Sequence, residues 1–248
     1  AWEHIVEQKG GINVRLKDIS SNVGLLSVQG PGAEPLLQPL TRTRLSDIAY
    51  YHFTTGQVAG AECFISRTGY TGEDGFELYC RERDTVKIWD ALLAAGATPI
   101  GLGARDSLRT EMGYALYGNE IDDTITPLEA GLGWIVKLDK PGFVGAEALR
   151  KQKAEGLRRK LVGFKLTGKG IARHGYPVLA NGKRVGEVTS GTMSPVLKEP
   201  IGLAYVPAEL SKEGTQFDVE IRGKPVAAQV VKTPFVTKEA QKSAPRTS

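Results

Sequence analysis

Glu62-Cys63-Phe64-Ile65-Ser66-Arg67, then Thr68-Gly69-Tyr70-Thr71-Gly72-Glu73-Asp74-Gly75, then Phe76-Glu77-Leu78-Tyr79-Cys80 is the stretch on which the fold turns. Its two ends are apolar and alternating and its middle is rich in glycine. It reads as a strand, a loop and a returning strand. Alternation puts Phe76 and Leu78 on one face of the second strand and Glu77 on the other. The glycines at 69, 72 and 75 permit positive φ and a close approach of backbone to a ligand. No Gly-Lys-Ser/Thr follows, so this is not a phosphate loop.

Upstream of this hairpin, residues 12–16 alternate as a short strand, and residues 22–28 do so more loosely. After the Gln29-Gly30-Pro31-Gly32 turn, residues 33–40 look helical, with Leu36, Leu37 and Leu40 on one face. Downstream, a helix is predicted over 85–95, with Asp84 as its cap, a stripe of Val86, Trp89, Leu92 and Leu93, and Gly96 as its stop. A second helix is predicted near 104–112, with Leu108 and Met112 four residues apart. Strands packed by helices make this an α+β region.

The texture changes after a helix near 145–155. Leu161–Leu166 alternates, Val178–Val185 centres on an Asn181-Gly182 hairpin turn, and Ile201–Val206 reads as a strand. Phe217, Val219 and Ile221 alternate before Gly223 turns the chain toward Val226–Val231. Short strands with regular turns predict a small closed or nearly closed barrel. The expected organisation is therefore a region over 1–145, a barrel domain over 146–237, and a polar tail over 238–248.

Composition narrows the class of function. Of 248 residues, 41% are hydrophobic and 24% charged, an ordinary balance for a globular protein, and no apolar run is long enough to cross a membrane. The net charge of +4 is concentrated at 150–169, where Arg and Lys read as solvated faces; without interleaved aromatics, nucleic acid is not an expected partner. Cys63 and Cys80 match no zinc or redox spacing, and His4, His52 and His174 are far apart. Reduced, buried thiols and no metal are expected.

Three stretches carry a resemblance. They are Thr68–Glu77, Gly101-Leu102-Gly103-Ala104-Arg105-Asp106-Ser107-Leu108-Arg109-Thr110-Glu111, and Pro127-Leu128-Glu129-Ala130-Gly131-Leu132-Gly133-Trp134. With Tyr117–Ile121 between them, Gly186–Gly191 and Ser194-Pro195 in the barrel, and Pro234-Phe235-Val236 at its close, their order and spacing resemble the folate-dependent aminomethyltransferases, the T-proteins of the glycine cleavage system. The likeness covers 1–237. It implies a ferredoxin-like folate-binding α/β region, here partial because the family's N-terminal part has no counterpart, followed by the C-terminal β-barrel.

The resemblance also implies chemistry. Family members move a one-carbon unit from aminomethyl-dihydrolipoyl H-protein to tetrahydrofolate and release ammonia, so the implied partners are a folate, as co-substrate, and lipoylated H-protein. Glu77 stands at the family's pterin-carboxylate position, where a carboxylate can accept from an exocyclic amine and a neighbouring ring N–H. From alternation alone it is an exposed strand glutamate. Arg105 matches a second folate contact at the start of a helix, with a structural ion pair as the plainer alternative. Tyr70 and Trp134 match aromatic contacts, although a tryptophan in isolation is more often part of a core. Arg109, one turn beyond Arg105, is read as support. Asn119 and Glu120 receive no role.

Two departures accompany the match. The family's catalytic aspartate aligns ahead of Ala1, so no residue here is carried over to it, and the chain as given is expected to bind folate weakly without turnover. After Val236 the sequence Thr237-Lys238-Glu239-Ala240 lacks an aromatic contact that some members have. Two other readings use the same scaffold. One is the folate domain of a sarcosine- or dimethylglycine-oxidising enzyme, for which no dinucleotide fingerprint is present. The other is a non-catalytic relative that assists iron–sulfur assembly, whose Lys-Gly-Cys motif is replaced here by Arg67-Thr68-Gly69-Tyr70. Family members work in the bacterial cytoplasm or the mitochondrial matrix, and the cytoplasm is the expected compartment.

Overall fold

The computed structural model describes residues 2–237. The chain divides into two compact units, Ala1–Gly69 with Glu73–Pro99, and Tyr70–Gly72 with Ile100–Ser248.

The first unit opens with helix α1 (Trp2–Lys9), which buries none of its residues. The strand expected at 12–16 is absent: Ile12 and Val14 are exposed and no strand pairs with them. Alternation supports a strand only where a neighbour supplies the hydrogen-bond ladder and covers one face, and neither condition is met here.

The unit's sheet is built from β1 (Val23–Gln29), β2 (Phe53–Val58), β3 (Ala61–Ser66) and β4 (Gly75–Arg81) in the order β1-β4-β3-β2, every pair antiparallel. Between β2 and β3, Ala59 and Gly60 both have positive φ (50° and 76°), the geometry of a two-residue turn whose twist suits the flanking strands. Helix α2 (Ala33–Leu37), extended by a 3₁₀ turn over Gln38–Leu40, and α3 (Thr85–Ala94) contribute Leu37, Ile88 and Leu92 to a core with Val58, Ile65, Phe76 and Leu78. The opposite face carries exposed Leu25, Phe53 and Phe64. Cys63 and Cys80 face one another across β3 and β4, both buried and both free.

Two details of α3 differ from expectation. A 3₁₀ turn over Glu82–Asp84 runs straight into the helix, so Asp84 already has helical backbone angles and its side chain makes no capping bond. The buried stripe is Ile88 and Leu92, while Val86 is 69% exposed and Trp89 and Leu93 are also exposed. The apolar residues cover nearly half the helix circumference, and only the part facing the sheet is buried. The C-terminus matches: Gly96 has φ 99°, and the N–H groups of Gly96 and Ala97 donate to Leu93 O and Leu92 O, a Schellman arrangement.

The second unit contains α4 (Leu102–Glu111), α5 (Ala146–Glu155) and a closed antiparallel barrel. Its strands are β5 (Arg159–Leu166), β6 (Pro177–Ala180), β7 (Lys183–Met193), β8 (Pro200–Pro207), β9 (Gln216–Ile221) and β10 (Lys224–Val231), in the order β10-β5-β8-β7-β6-β9. Closure leaves no free edge. Phe164 and Phe217 meet edge to face inside at 5.6 Å, among Val178, Val188, Ala204 and Val219. Asn181-Gly182 and Arg222-Gly223 both have two successive positive φ values, so each forms the hairpin turn that joins its strands. At Gly186 a Cβ would stand 2.0 Å from the Tyr205 carbonyl oxygen across the β7–β8 pairing, so only glycine fits. A bulge between Val188 and Ser190 inserts one residue into β7 and redirects the side chains that follow.

Helix α4 packs on β7 and β8. For this reason compactness divides the chain between residues 99 and 100, ahead of the change in texture near 145, although the barrel's own strands begin at Arg159. The face α4 buries is polar: Arg109, Thr110 and Glu111 are buried, whereas Leu108 and Met112 are half-buried. The tail expected over 238–248 lies outside the described residues.

Candidate functional site

The residues expected to contact a ligand fall in both units. Glu77 belongs to the first, where it lies between Ser27 on β1 and Ser66 on β3, on the sheet face opposite the core. The Thr68 hydroxyl donates to Glu77 Oε2 at 2.5 Å and lies 3.1 Å from the Ser66 hydroxyl. Glu77 Oε1 has no partner among the described residues. One carboxylate oxygen is thus oriented by the protein and the other is open to a donor. Thr68 lies within the glycine-rich motif, where sequence alone assigns it no function; only the return of β4 beside β3 places it against residue 77.

The loop that carries these groups is closed at its base by a fork. Arg67 donates through Nε and Nη2 to the two Asp74 carboxylate oxygens (2.9 and 2.6 Å), and through Nη2 to Glu34 Oε2 (2.7 Å). The hydrogen bond to Asp74 is the main cause that holds Arg67 above its ordinary pKa. This bidentate contact fixes the loop ends.

Tyr70, Arg105 and Trp134 belong to the second unit. The Tyr70 hydroxyl donates to the Ala115 carbonyl at 2.5 Å, and its ring stacks on Tyr114 with centroids 5.7 Å apart and planes 28° apart. Burial pushes the Tyr70 phenol above its ordinary pKa; the Arg109 charge opposes that shift, and Glu120 adds to it. A protonated phenol is the form a donor bond to a carbonyl requires. Gly72, at φ 79°, leaves room for Met112, whose sulfur would lie 2.4 Å from a Cβ there.

The Arg105 guanidinium lies over the Tyr70 ring, 4.7 Å from its centroid. Arg105 is exposed and makes no ion pair or hydrogen bond among the described residues, so the plainer reading of it as a structural ion pair does not hold. That role falls to Arg109, which is 1% exposed and pairs with Glu120, itself fully buried. Trp134 sits in a 3₁₀ turn over Gly133–Ile135 and is 70% exposed, so it is not a core tryptophan. No stacking or cation–π contact joins it to Tyr70 or Arg105 among the described residues. The structure therefore brings Arg105 and Tyr114 against the Tyr70 ring, and no ring contact ties Trp134 to them among the described residues.

Asn119 and Glu120 both have defined partners. Asn119 Nδ2 donates to Thr189 O at 3.0 Å, and Glu120 accepts from Arg109 Nη1 at 2.7 Å and from Ser190 Oγ at 2.5 Å. The spacing of Arg105 and Arg109, one helical turn apart, was the only sequence signal that linked the exposed contact to its buried support. Among the described residues, no group of three His, Cys, Asp or Glu side chains gathers as a metal site would need, and no helix is long and apolar enough to cross a membrane.

Comparison with known proteins places this arrangement. The GCVT N-terminal domain matches residues 1–140, and the glycine cleavage T-protein C-terminal barrel domain matches residues 159–237. The chain belongs to the glycine cleavage T-protein family. Among T-protein relatives, the aminomethyltransferase of Halothermothrix orenii is 52% identical over 221 residues, which cover 88% of this chain and 62% of the relative. That of Herpetosiphon aurantiacus is 53% identical over 235 residues, or 94% of this chain and 65% of the relative. The crystal structure of the glycine cleavage system aminomethyltransferase T from Bartonella henselae superposes with a TM-score of 0.86 at 33% identity, covering 94% of this chain and 64% of that one. The chain thus spans somewhat under two thirds of the length of these T-proteins. The α+β organisation with a closed C-terminal barrel is that of the family.

Proposed function

We propose that this protein is a folate-dependent aminomethyltransferase of the glycine cleavage system. Its substrates on this reading are tetrahydrofolate and aminomethyl-dihydrolipoyl H-protein, and its products are methylene-tetrahydrofolate, ammonia and dihydrolipoyl H-protein. Residues 1–145 form the folate-binding region and 146–237 the barrel domain. The relatives compared above are bacterial, which supports a bacterial cytoplasm as the compartment.

The observation that carries the reading is the state of Arg105: a guanidinium laid on an aromatic ring with its donors uncommitted. An arginine held over a ring and unpaired is ready for a carbonyl or carboxylate of an incoming ligand. In the first unit, Glu77 has one oriented and one open oxygen, which suits an amine and ring N–H on a pterin edge. Tyr70 offers a ring whose hydroxyl is already satisfied, and Trp134 an exposed indole for further flat contact. These four residues bind and orient; catalysis on this reading comes from holding folate in a reactive pose. No metal takes part.

Titration of the protein with 5-formyltetrahydrofolate, followed by tryptophan fluorescence and by calorimetry, tests the proposal. Glu77→Gln and Arg105→Ala are each expected to raise Kd at least tenfold, with unchanged unfolding midpoints. Trp134→Phe should remove most of the fluorescence response. Absence of binding in the unmodified protein, or wild-type affinity in both variants, would overturn it. Co-sedimentation with lipoylated H-protein tests the partner.

A further inference from the structure

All five N–H donors of Arg109 are engaged inside the second unit. Nε and Nη2 both reach Asp106 Oδ1 (2.8 and 2.6 Å), Nη2 also reaches Ser190 Oγ (2.6 Å), and Nη1 reaches Glu120 Oε2 (2.7 Å) and the Tyr114 carbonyl (3.3 Å). Glu120 Oε2 accepts in addition from the Leu116 N–H at 2.9 Å. The pair therefore grips the backbone on both sides of residue 115, through the carbonyl of residue 114 and the amide of residue 116. Between those two grips lies the Ala115 carbonyl, the acceptor for the Tyr70 hydroxyl. On the Tyr70 ring lies Arg105.

We propose that the buried Arg109–Glu120 pair is a positioning device for the ligand contacts: it fixes the Ala115 carbonyl, the carbonyl fixes Tyr70, and Tyr70 fixes the Arg105 guanidinium. This rests on the reading of Tyr70 and Arg105 as folate contacts, but the mechanical chain is defined without it. The Leu116 N–H and the Ala115 carbonyl belong to one planar peptide group, so Glu120 holds directly the plane whose oxygen accepts from Tyr70, while Arg109 holds the peptide group before it. Ser190, delivered by the β7 bulge, completes the grip by donating to Glu120 Oε1 at 2.5 Å. The geometry is demanding because lysine has a single nitrogen and cannot reach Tyr114 O, Asp106, Glu120 and Ser190 at once.

The discriminating experiment is a double-mutant cycle on the full chain. Tyr70→Phe breaks the link to Ala115, and Arg109→Lys keeps the charge but loses the fork. Each is expected to weaken 5-formyltetrahydrofolate binding by about two- to tenfold, the range for one net hydrogen bond. The double variant should bind no more weakly than the weaker single variant, because both changes cut the same chain. Multiplying effects, or unchanged binding in Arg109→Lys despite a lowered unfolding midpoint, would reduce the pair to a structural role and overturn the proposal. Glu120→Gln, which keeps the shape, enters the same cycle if Arg109→Lys does not fold.

A second readout is independent of folate. In protein labelled with 3-fluorotyrosine, the ¹⁹F line lost on Tyr70→Phe reports residue 70. Arg109→Lys and Glu120→Gln should shift that line toward the solvent-exposed position and sharpen it as the ring flips more freely. An unmoved line refutes the positioning role even if folate binds, whereas a moved line in a protein that binds no folate refutes the functional reading alone.

Discussion

Replacing Glu120 with alanine is the most demanding test of the second unit's interior. The carboxylate is fully buried and accepts from Arg109 Nη1, the Leu116 amide and the Ser190 hydroxyl at 2.7, 2.9 and 2.5 Å. Its removal leaves a guanidinium that is 1% exposed facing a void, together with a backbone N–H and a hydroxyl without their acceptor. Losing one partner of a buried ion pair costs about 3–5 kcal/mol. Each orphaned neutral donor costs about 1–3 kcal/mol in isolation, but these terms overlap because one cavity serves all three. Asp106, whose side chain is 48% exposed, still faces Arg109 and keeps part of its charge compensated. The expected loss is therefore about 4 kcal/mol, inside the buried-pair range and not the sum of all terms. For a slope of about 2 kcal/mol/M, the urea midpoint read by far-UV circular dichroism should fall by about 2 M. Glu120→Gln, which keeps an acceptor for Leu116 but no charge, should fall between alanine and wild type. A paired Arg109→Met, Glu120→Leu replacement should recover part of the alanine loss. A loss below about 1 kcal/mol for Glu120→Ala would refute the claim that this pair holds the interior together.

Three further outcomes are expected. Gly186→Ala forces a methyl group to 2.0 Å from the Tyr205 carbonyl, so the barrel should lose about 1–3 kcal/mol in the same urea assay, and an unchanged midpoint would disprove the close approach. Burial pushes the Glu129 carboxyl up, but the Thr126 N–H and the Arg159 guanidinium more than offset it, so its folded pKa lies below the ordinary 4.5. Its contribution is thus fully present above the unfolded value and lost as pH falls through the folded one. Glu129→Gln should flatten the urea-midpoint profile between about pH 5 and about pH 3, and an identical slope would refute the assignment. Burial, with Cys80 beside it, pushes the Cys63 thiol up to about 11. Cys63 should accordingly resist a thiol reagent at neutral pH until urea unfolds the chain; rapid labelling of the folded protein contradicts this.

Some of the architecture could be read from the chain because it is decided locally. Asn181-Gly182 and Gly223 specify tight hairpins by backbone preference alone, and the alternation of Phe76, Glu77 and Leu78 matches a strand with one covered face. Where a neighbour decides, sequence reading failed. Ile12 and Val14 alternate correctly but have no ladder to join. Helix α3 carries more apolar residues than one sheet face can cover, so pattern alone could not choose between Ile88 and Val86. The candidate site shows the same division. Glu77, Tyr70, Arg105 and Trp134, with Arg109 as support, are legible through motif likeness, whereas Thr68, Tyr114 and the Glu120 and Ser190 partners of Arg109 emerge only from the folded structure. Ser190 is 70 residues from Glu120, a distance no local rule spans.

The assignment of Tyr70–Gly72 to the second unit has a practical consequence for anyone who dissects this chain. Scission between residues 99 and 100, the obvious place to express the halves separately, would strand that tripeptide on the wrong product. The C-terminal half would retain the Ala115 carbonyl and Arg105 but lack the phenol that connects them. Complementation should therefore require both halves together, or a circular permutant that keeps the β3–β4 loop covalently intact.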